Sequence, residues 1–257
     1  MPAIKYNQAE IFHNASYDSD TLYIKIQNPL HCPIRVKFFS EYLKNQNIIN
    51  DTLRILIHDK SEYEIKFFIQ NLDTKKFAYT YFYALGDKNK KITKIPLALP
   101  FPKGKIYKII QGNKGSFSHN TNYSKYAVDI DLKVGDTITS ANDGFVVGVV
   151  KDYEFGKNDK KWQDFANFIT IYHPQNGFFT QYVHLKKHGS LVKVGDYVKR
   201  GQPIGLSGAT GYLDGEHLHF NVLVPEKNET LISIPFYFEG KIYSEALLRN
   251  QKIRHNR

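Results

Sequence analysis

A chain of 257 residues has room for one or two domains, and its 42% hydrophobic and 14% aromatic content excludes a disordered polymer. The single cysteine, Cys32, excludes an intrachain disulfide and a zinc site built from several thiolates, so any metal must be held by His, Asp or Glu. The formal net charge of +10 is dispersed, with 14 Lys+Arg against 10 Asp+Glu in residues 1–100 and 21 against 15 in the remainder; this lacks the concentrated basic face of a nucleic-acid binder and suits contact with a polyanionic surface.

No run of 18 apolar residues is present, so no membrane span is expected. The opening Met1-Pro2-Ala3-Ile4-Lys5-Tyr6 lacks the pattern of a signal peptide.

Residues 1–95 alternate in the β manner. Leu22, Ile24 and Ile26 mark one strand face; Ile34, Val36 and Phe38, then Leu53, Ile55 and Ile57, mark the next. Tyr63, Ile65, Phe67 and Ile69 follow, then Phe77, Tyr79, Tyr81 and Tyr83. Polar turn clusters such as Asn28-Pro29 and Asp59-Lys60-Ser61 separate them, which predicts an antiparallel, Ig-like β-sandwich of unassigned role. His13, His31 and His58 are isolated and read as structural or surface residues.

Three prolines in Pro96-Leu97-Ala98-Leu99-Pro100-Phe101-Pro102 forbid a helix interior or a central strand. We place a linker at 96–103, packed on a domain surface, and a second domain at 104–257. There the chain becomes glycine-punctuated: Val146-Val147-Gly148-Val149-Val150, Phe168–Tyr172 and Gln181–Leu185 read as buried strands. Helical periodicity is nearly absent, apart from a short candidate around Asp159–Phe165, so a mostly antiparallel sheet is expected and the whole chain is all-β. The tail, Leu247–Arg257, ends without an acidic residue; it is expected to fray, with His255 solvated.

Chemistry concentrates in four places. His217-Leu218-His219-Phe220 reads as a strand whose two imidazoles share a face. His119 follows Ser118 in a Gly/Ser/Asn-rich loop. Asp129 and Asp131 lie in the apolar run Tyr126-Ala127-Val128-Asp129-Ile130-Asp131, where a buried carboxylate needs a cation or donors. His184 sits between Val183 and Leu185. A hydrolytic zinc site takes three His or carboxylate ligands and keeps one position open, with neighbouring imidazoles available as acid–base groups. The residue types suit that chemistry. They do not divide ligands from acid–base groups, nor choose between Asp129 and Asp131.

These pieces, with Ala141-Asn142-Asp143-Gly144-Phe145-Val146-Val147, Val194–Gly205 and Ser207-Gly208-Ala209-Thr210-Gly211, occur in an order that resembles the M23 family of zinc metallopeptidases, the lysostaphin-type cell-wall endopeptidases with a LytM domain. The resemblance covers roughly residues 110–225. It implies an antiparallel catalytic sheet of the duplicated-hybrid-motif kind, one Zn2+ per chain, and His119, Asp129 and His219 as its ligands. It also implies His184 and His217 as catalytic histidines, a peptide bond of peptidoglycan as substrate, and a cell-envelope location.

Two departures stand out. An insertion, Asn120–Lys125, separates His119 from Asp129 more widely than in many members, and Glu216 replaces a usual proline. The loop Lys151–Asn167 is expected either to wall the substrate groove or to be a solvated surface loop. The competing reading is a catalytically silent wall-binding or amidase-activating relative. A lipoyl-type carrier, suggested by Val194–Gly205, lacks a lysine at an exposed hairpin tip and leaves the histidines unexplained.

Overall fold

Alternating apolar residues become strands throughout. The computed structural model describes residues 2–226 and 230–256. It groups them into two units: Glu10–Asn89 with Pro225–Thr230, and Met1–Ala9 with Lys90–Val224 and Leu231–Arg257.

The smaller unit holds β1 (Phe12–Asp18), β2 (Thr21–Asn28), β3 (Ile34–Phe39), the short helix α1 (Glu41–Asn45), β4 (Leu53–Ile57), β5 (Ser61–Phe68) and β6 (Thr80–Leu85). They form two three-stranded antiparallel sheets, β1-β2-β5 and β4-β3-β6. Ile24 and Ile26 of one sheet and Ile34 and Phe38 of the other are fully buried, and the Phe38 ring lies 6.3 Å from that of Phe67 across the sheets. Ser40 caps α1 by accepting the Leu43 N–H, so a single turn of helix interrupts the β pattern.

The larger unit continues with β7 (Ile106–Gln111), β8 (Val128–Ile130), β9 (Thr137–Thr139), β10 (Gly144–Val150), β11 (Gly156–Lys157), β12 (Phe168–His173), β13 (Phe178–Val183) and β14 (Leu185–Ser190). Then come β15 (Tyr197–Val198), β16 (Pro203–Ser207), β17 (Gly211–Tyr212), β18 (Leu218–Pro225), β19 (Leu231–Ser233), β20 (Tyr237–Phe238), β21 (Ile242–Tyr243) and β22 (Lys252–Arg254). Among the described residues a nine-stranded sheet runs β15-β10-β12-β13-β18-β8-β7-β22, with β19 beside β18. A second sheet runs β14-β16-β9. Strands β12, β13 and β18 are buried along almost their whole length, which explains their near-continuous apolar sequence. Leu218 and Phe220 point into this core with Ile130, Tyr182 and Phe238; burying a ring such as Phe220 is worth about 2–3 kcal/mol.

Several expectations need correcting. The Pro-rich run is part of the larger unit's core: Leu97, Leu99 and Phe101 are at most 2% exposed, and the Leu97 N–H donates to the Tyr237 carbonyl. The tail does not fray over its whole length. Its β22 pairs antiparallel with β7, and His255 is buried, its Nδ1–H donating to the Phe101 carbonyl. The apolar Ile253, absorbed into the core, supplies the reason. Residues around Asp159–Phe165 form only a 3-10 turn at Lys160–Trp162, capped by Asp159.

Candidate metal centre and cleft

Strand register brings the central pair together. Asp129 on β8 stands opposite His219 on β18, and Val183, at the end of β13, stands opposite His219 from the other side. His119 arrives from the loop after β7. Its backbone N–H is fixed by the Gly115 carbonyl, and its Nδ1–H donates to the Gly112 carbonyl at 2.7 Å.

That bond leaves Nε2 of a neutral His119 as a bare lone pair. It points at Asp129 Oδ1 (3.1 Å) and His219 Nδ1 (3.2 Å), and His219 Nδ1 lies 2.9 Å from the same Oδ1. Two imidazole nitrogens and one carboxylate oxygen therefore converge in a pocket where Asp129 is 2% exposed and His119 fully buried. Polar atoms packed this closely need a proton or a metal cation among them. Against the effect of burial, Asp129 raises the His119 pKa, which favours positive charge at this point. Ligand atoms bound tetrahedrally at ~2.0–2.2 Å from zinc are about 3.4 Å from one another, close to the spacing observed. The donor set fits zinc.

The electrostatics agree. Burial disfavours charge on Asp129, yet the surrounding His217, His119 and His219 hold its carboxyl well below the usual range, so it is ionised. The far oxygen of Asp129 is already engaged: Gln111 Nε2 donates to Oδ2 at 3.1 Å and to Ser118 Oγ at 2.9 Å, leaving Oδ1 to face the imidazoles. Sequence reasoning missed Gln111, because an amide carries no ligand signature and its role follows from β7 pairing with β8.

The remaining two histidines sit beside this cluster. His184 and His217 have ring centroids 4.7 Å apart, and His184 lies 6.0 Å from His219. His184 Nδ1–H donates to the Thr210 carbonyl at 2.6 Å and His217 Nδ1–H to the Gly215 carbonyl at 2.9 Å. Backbone carbonyls thus fix both tautomers and leave each Nε2 free; that of His217 lies 3.7 Å from Asp129 Oδ1. Burial, then the neighbouring imidazoles of His217 and His219, push His184 well below its ordinary pKa, so it stands neutral at physiological pH.

Neither histidine lies within a strand as the sequence pattern suggested. β13 stops at Val183, and His184 takes a left-handed φ of 70° before β14; β18 begins at Leu218, one residue after His217. Asp131 lies beyond the end of β8 and pairs with Lys133 Nζ at 2.9 Å, so the two aspartates separate. Glu216 turns from the centre, accepting the Val134 N–H at 2.8 Å with Lys133 3.4 Å away. His13, His31, His58 and His255 take no part in the cluster.

A cleft of about 540 Å³ opens over the cluster, with His184 and His219 in its lining. Asn120, Thr121, Tyr123 and Ser124 of the insertion form part of its lining, as do Lys160, Gln163, Asp164 and Ala166 of the Lys151–Asn167 segment. Phe117 and Tyr212 stack at 4.8 Å within it. Lys5–Gln8 supply another part of the lining. Gln8 accepts the Val149 N–H along the open edge of β10, and the Tyr6 N–H donates to Tyr153 Oη.

Two imidazoles and a carboxylate around one point, with free imidazole nitrogens beside an open cleft, define a mononuclear zinc-hydrolase type of site. Residues 123–231 match the model of Peptidase family M23, a stretch that begins four residues after His119.

An uncharacterized metalloprotease of Buchnera aphidicola is 37% identical over 53% of this chain and 34% of its own length. Peptidoglycan DD-endopeptidase ShyB of Vibrio cholerae is 42% identical over 37% of this chain and 20% of its own length. Lysostaphin of Staphylococcus simulans is 32% identical over 44% and 21% respectively. The matched part of the chain thus spans between a fifth and about a third of the length of these relatives. Among solved structures, the catalytic domain of lysostaphin from Staphylococcus simulans has 29% identity and a TM-score of 0.38, over 49% of this chain and 88% of that one.

Proposed function

We propose that the protein is a zinc-dependent endopeptidase that hydrolyses peptide bonds in the stem peptides or cross-bridges of peptidoglycan, and that it works in the cell envelope. The observation that supports this most strongly is the convergence of His119, Asp129 and His219 on one point, beside His184 and His217, whose Nδ1 atoms are anchored on backbone carbonyls and whose Nε2 atoms are left to the site. The names of the relatives support the substrate class, and so does a dispersed net charge of +10 against an anionic wall polymer. Among the described residues no helix is long and apolar enough to cross a membrane.

In this reading His119 Nε2, Asp129 Oδ1 and His219 Nδ1 hold the zinc. When bound, zinc supplies Lewis acidity, polarising a carbonyl oxygen and bringing the pKa of water toward about 7. His184, neutral with Nε2 bare, accepts a proton at that nitrogen. His217, with Nδ1 anchored, offers Nε2 to the developing oxyanion or the leaving amine. The cleft lined by Phe117, Tyr123, Tyr212 and the Lys160–Ala166 stretch offers walls against which the substrate peptide would be oriented.

Asp129→Ala and His184→Ala separate the roles. Asp129→Ala is expected to lose zinc and activity together. His184→Ala is expected to keep stoichiometric zinc while its turnover of peptidoglycan falls by about 10²–10⁴. A fully active His184→Ala protein removes His184 from the mechanism.

A further inference from the structure

The Lys151–Asn167 segment does more than line the cleft. It ends on Asn167, which is fully buried and fully bonded. Asn167 Nδ2 donates to the carbonyls of Tyr153 (2.8 Å) and Leu185 (3.2 Å), and Oδ1 accepts the Tyr153 N–H (3.0 Å). Its backbone N–H donates to Thr210 Oγ1 (2.9 Å), and its carbonyl accepts the Leu185 N–H (3.2 Å). Thr210, 1% exposed, returns its hydroxyl to the Leu185 carbonyl at 2.9 Å and receives His184 Nδ1–H on its own carbonyl.

Asn167 and Thr210 therefore brace Leu185, the residue after His184, and Thr210 also holds the ring of His184 itself. The bracing has a target that needs it. A histidine at a φ of 70° occupies a region that side-chain-bearing residues seldom adopt unless their surroundings enforce it. The segment is tied to the same turn a second time, by parallel pairing of β11 with β17, Gly156 against Gly211 and Lys157 against Tyr212. Residues with a Cβ would not fit there: one on Gly211 would meet Ala166 Cβ at 2.6 Å, and one on Gly156 would meet the Ala209 carbonyl oxygen at 2.7 Å.

We propose that Asn167 and Thr210 are positioning residues for His184, and that the Lys151–Asn167 segment is the clamp that carries them. The catalytic consequence rests on the hydrolase reading above; the geometric part does not. Without the clamp the turn relaxes toward ordinary backbone angles, the Nδ1–H bond to Thr210 is lost, and Nε2 no longer faces the cleft.

The test combines nitrogen-15 NMR of the histidine side chains with steady-state kinetics on peptidoglycan fragments, in the zinc-loaded 257-residue chain. Wild type and Thr210→Ser are expected to show a protected Nδ1–H signal for His184. Asn167→Ala and Thr210→Val are expected to lose it, and their kcat to fall by about 10-fold or more with KM and zinc content unchanged. If Asn167→Ala fails to fold, the Thr210→Ser and Thr210→Val pair decides alone. Persistence of the wild-type His184 signal in Thr210→Val overturns the proposal. A wild-type protein that cleaves no peptidoglycan fragment refutes the hydrolase reading and leaves the NMR comparison to decide the clamp.

Discussion

Asp129 and His219 face one another across adjacent antiparallel strands, and the 2.9 Å between carboxylate Oδ1 and imidazole Nδ1 is a direct product of that register. A slip of β8 by one residue against β18, itself held in register by β13, would turn Asp129 into the hydrophobic core and away from His219. The core prevents the slip, because Val128, Ile130, Leu218 and Phe220 fill it from the opposite face. Sheet packing and metal binding thus depend on one register.

The first prediction concerns Gln111, which holds the second oxygen of Asp129. Gln111→Ala frees Oδ2 and lets the carboxylate rotate. Zinc affinity is expected to fall by about 10–100-fold with the fold intact, read by competition with a chromogenic chelator. Unchanged affinity would show that Asp129 is oriented by its strand alone.

The second concerns His173, fully buried in β12. Its Nδ1–H donates to the Asp143 carbonyl at 2.7 Å and its Nε2 accepts from Thr180 Oγ1 at 2.9 Å. Burial lowers its pKa from the ordinary 6.5 to about 4, with the Asp143 carbonyl and charge opposing. The folded state therefore binds this proton more weakly than the unfolded state does. The stability from a neutral His173 is complete above about pH 6.5, falls as the unfolded state protonates, and levels off below about pH 4. The loss over that window is about 3 kcal/mol. Urea unfolding of wild type and His173→Gln across the window, taken as a difference, isolates it. Parallel pH profiles would refute the assignment.

A third follows from Gly148. The register of β10 against β12 shifts there, and a Cβ at that position would meet Gln8 Oε1 at 2.6 Å and Gln8 Cβ at 3.2 Å. Gly148→Val is expected to lift Lys5–Gln8 from the β10 edge. Limited proteolysis with mass analysis should then show early cuts within residues 2–8, while the nine-stranded sheet stays protected. Equal protection of this segment in both proteins would mean that Gln8 does not depend on the glycine.

What the sequence disclosed depended on the kind of signal each residue carries. That His119, Asp129, His184, His217 and His219 belong to one neighbourhood was legible, because imidazoles and a carboxylate in apolar surroundings carry their own chemistry. Strand alternation made β2 to β6 legible, whereas β1 was not: Phe12–Asp18 is almost wholly exposed and shows no apolar face. Residue type and spacing did not divide Asp129 from Asp131; the resemblance to the M23 family pointed to Asp129, and the physical reason, β8 ending at Ile130, is visible only in the structure. His255 was misplaced because a basic tail conceals that Ile253 has a core to enter. Gln111 gave no signal, and although Thr210 fell in a resemblance motif and Asn167 closed the Lys151–Asn167 loop, neither was singled out. Amides and hydroxyls are common everywhere, and their partners lie 18 residues away for Gln111 with Asp129 and 43 for Asn167 with Thr210.

The most direct measurement is digestion of purified peptidoglycan by the zinc-loaded protein, with mass analysis of the released muropeptides and a parallel chelator-treated reaction. The account predicts fragments cut at a stem or cross-bridge peptide bond, abolished by the chelator and restored by added zinc. Intact muropeptides after prolonged digestion with stoichiometric zinc bound, or cleavage that persists without metal, would contradict it.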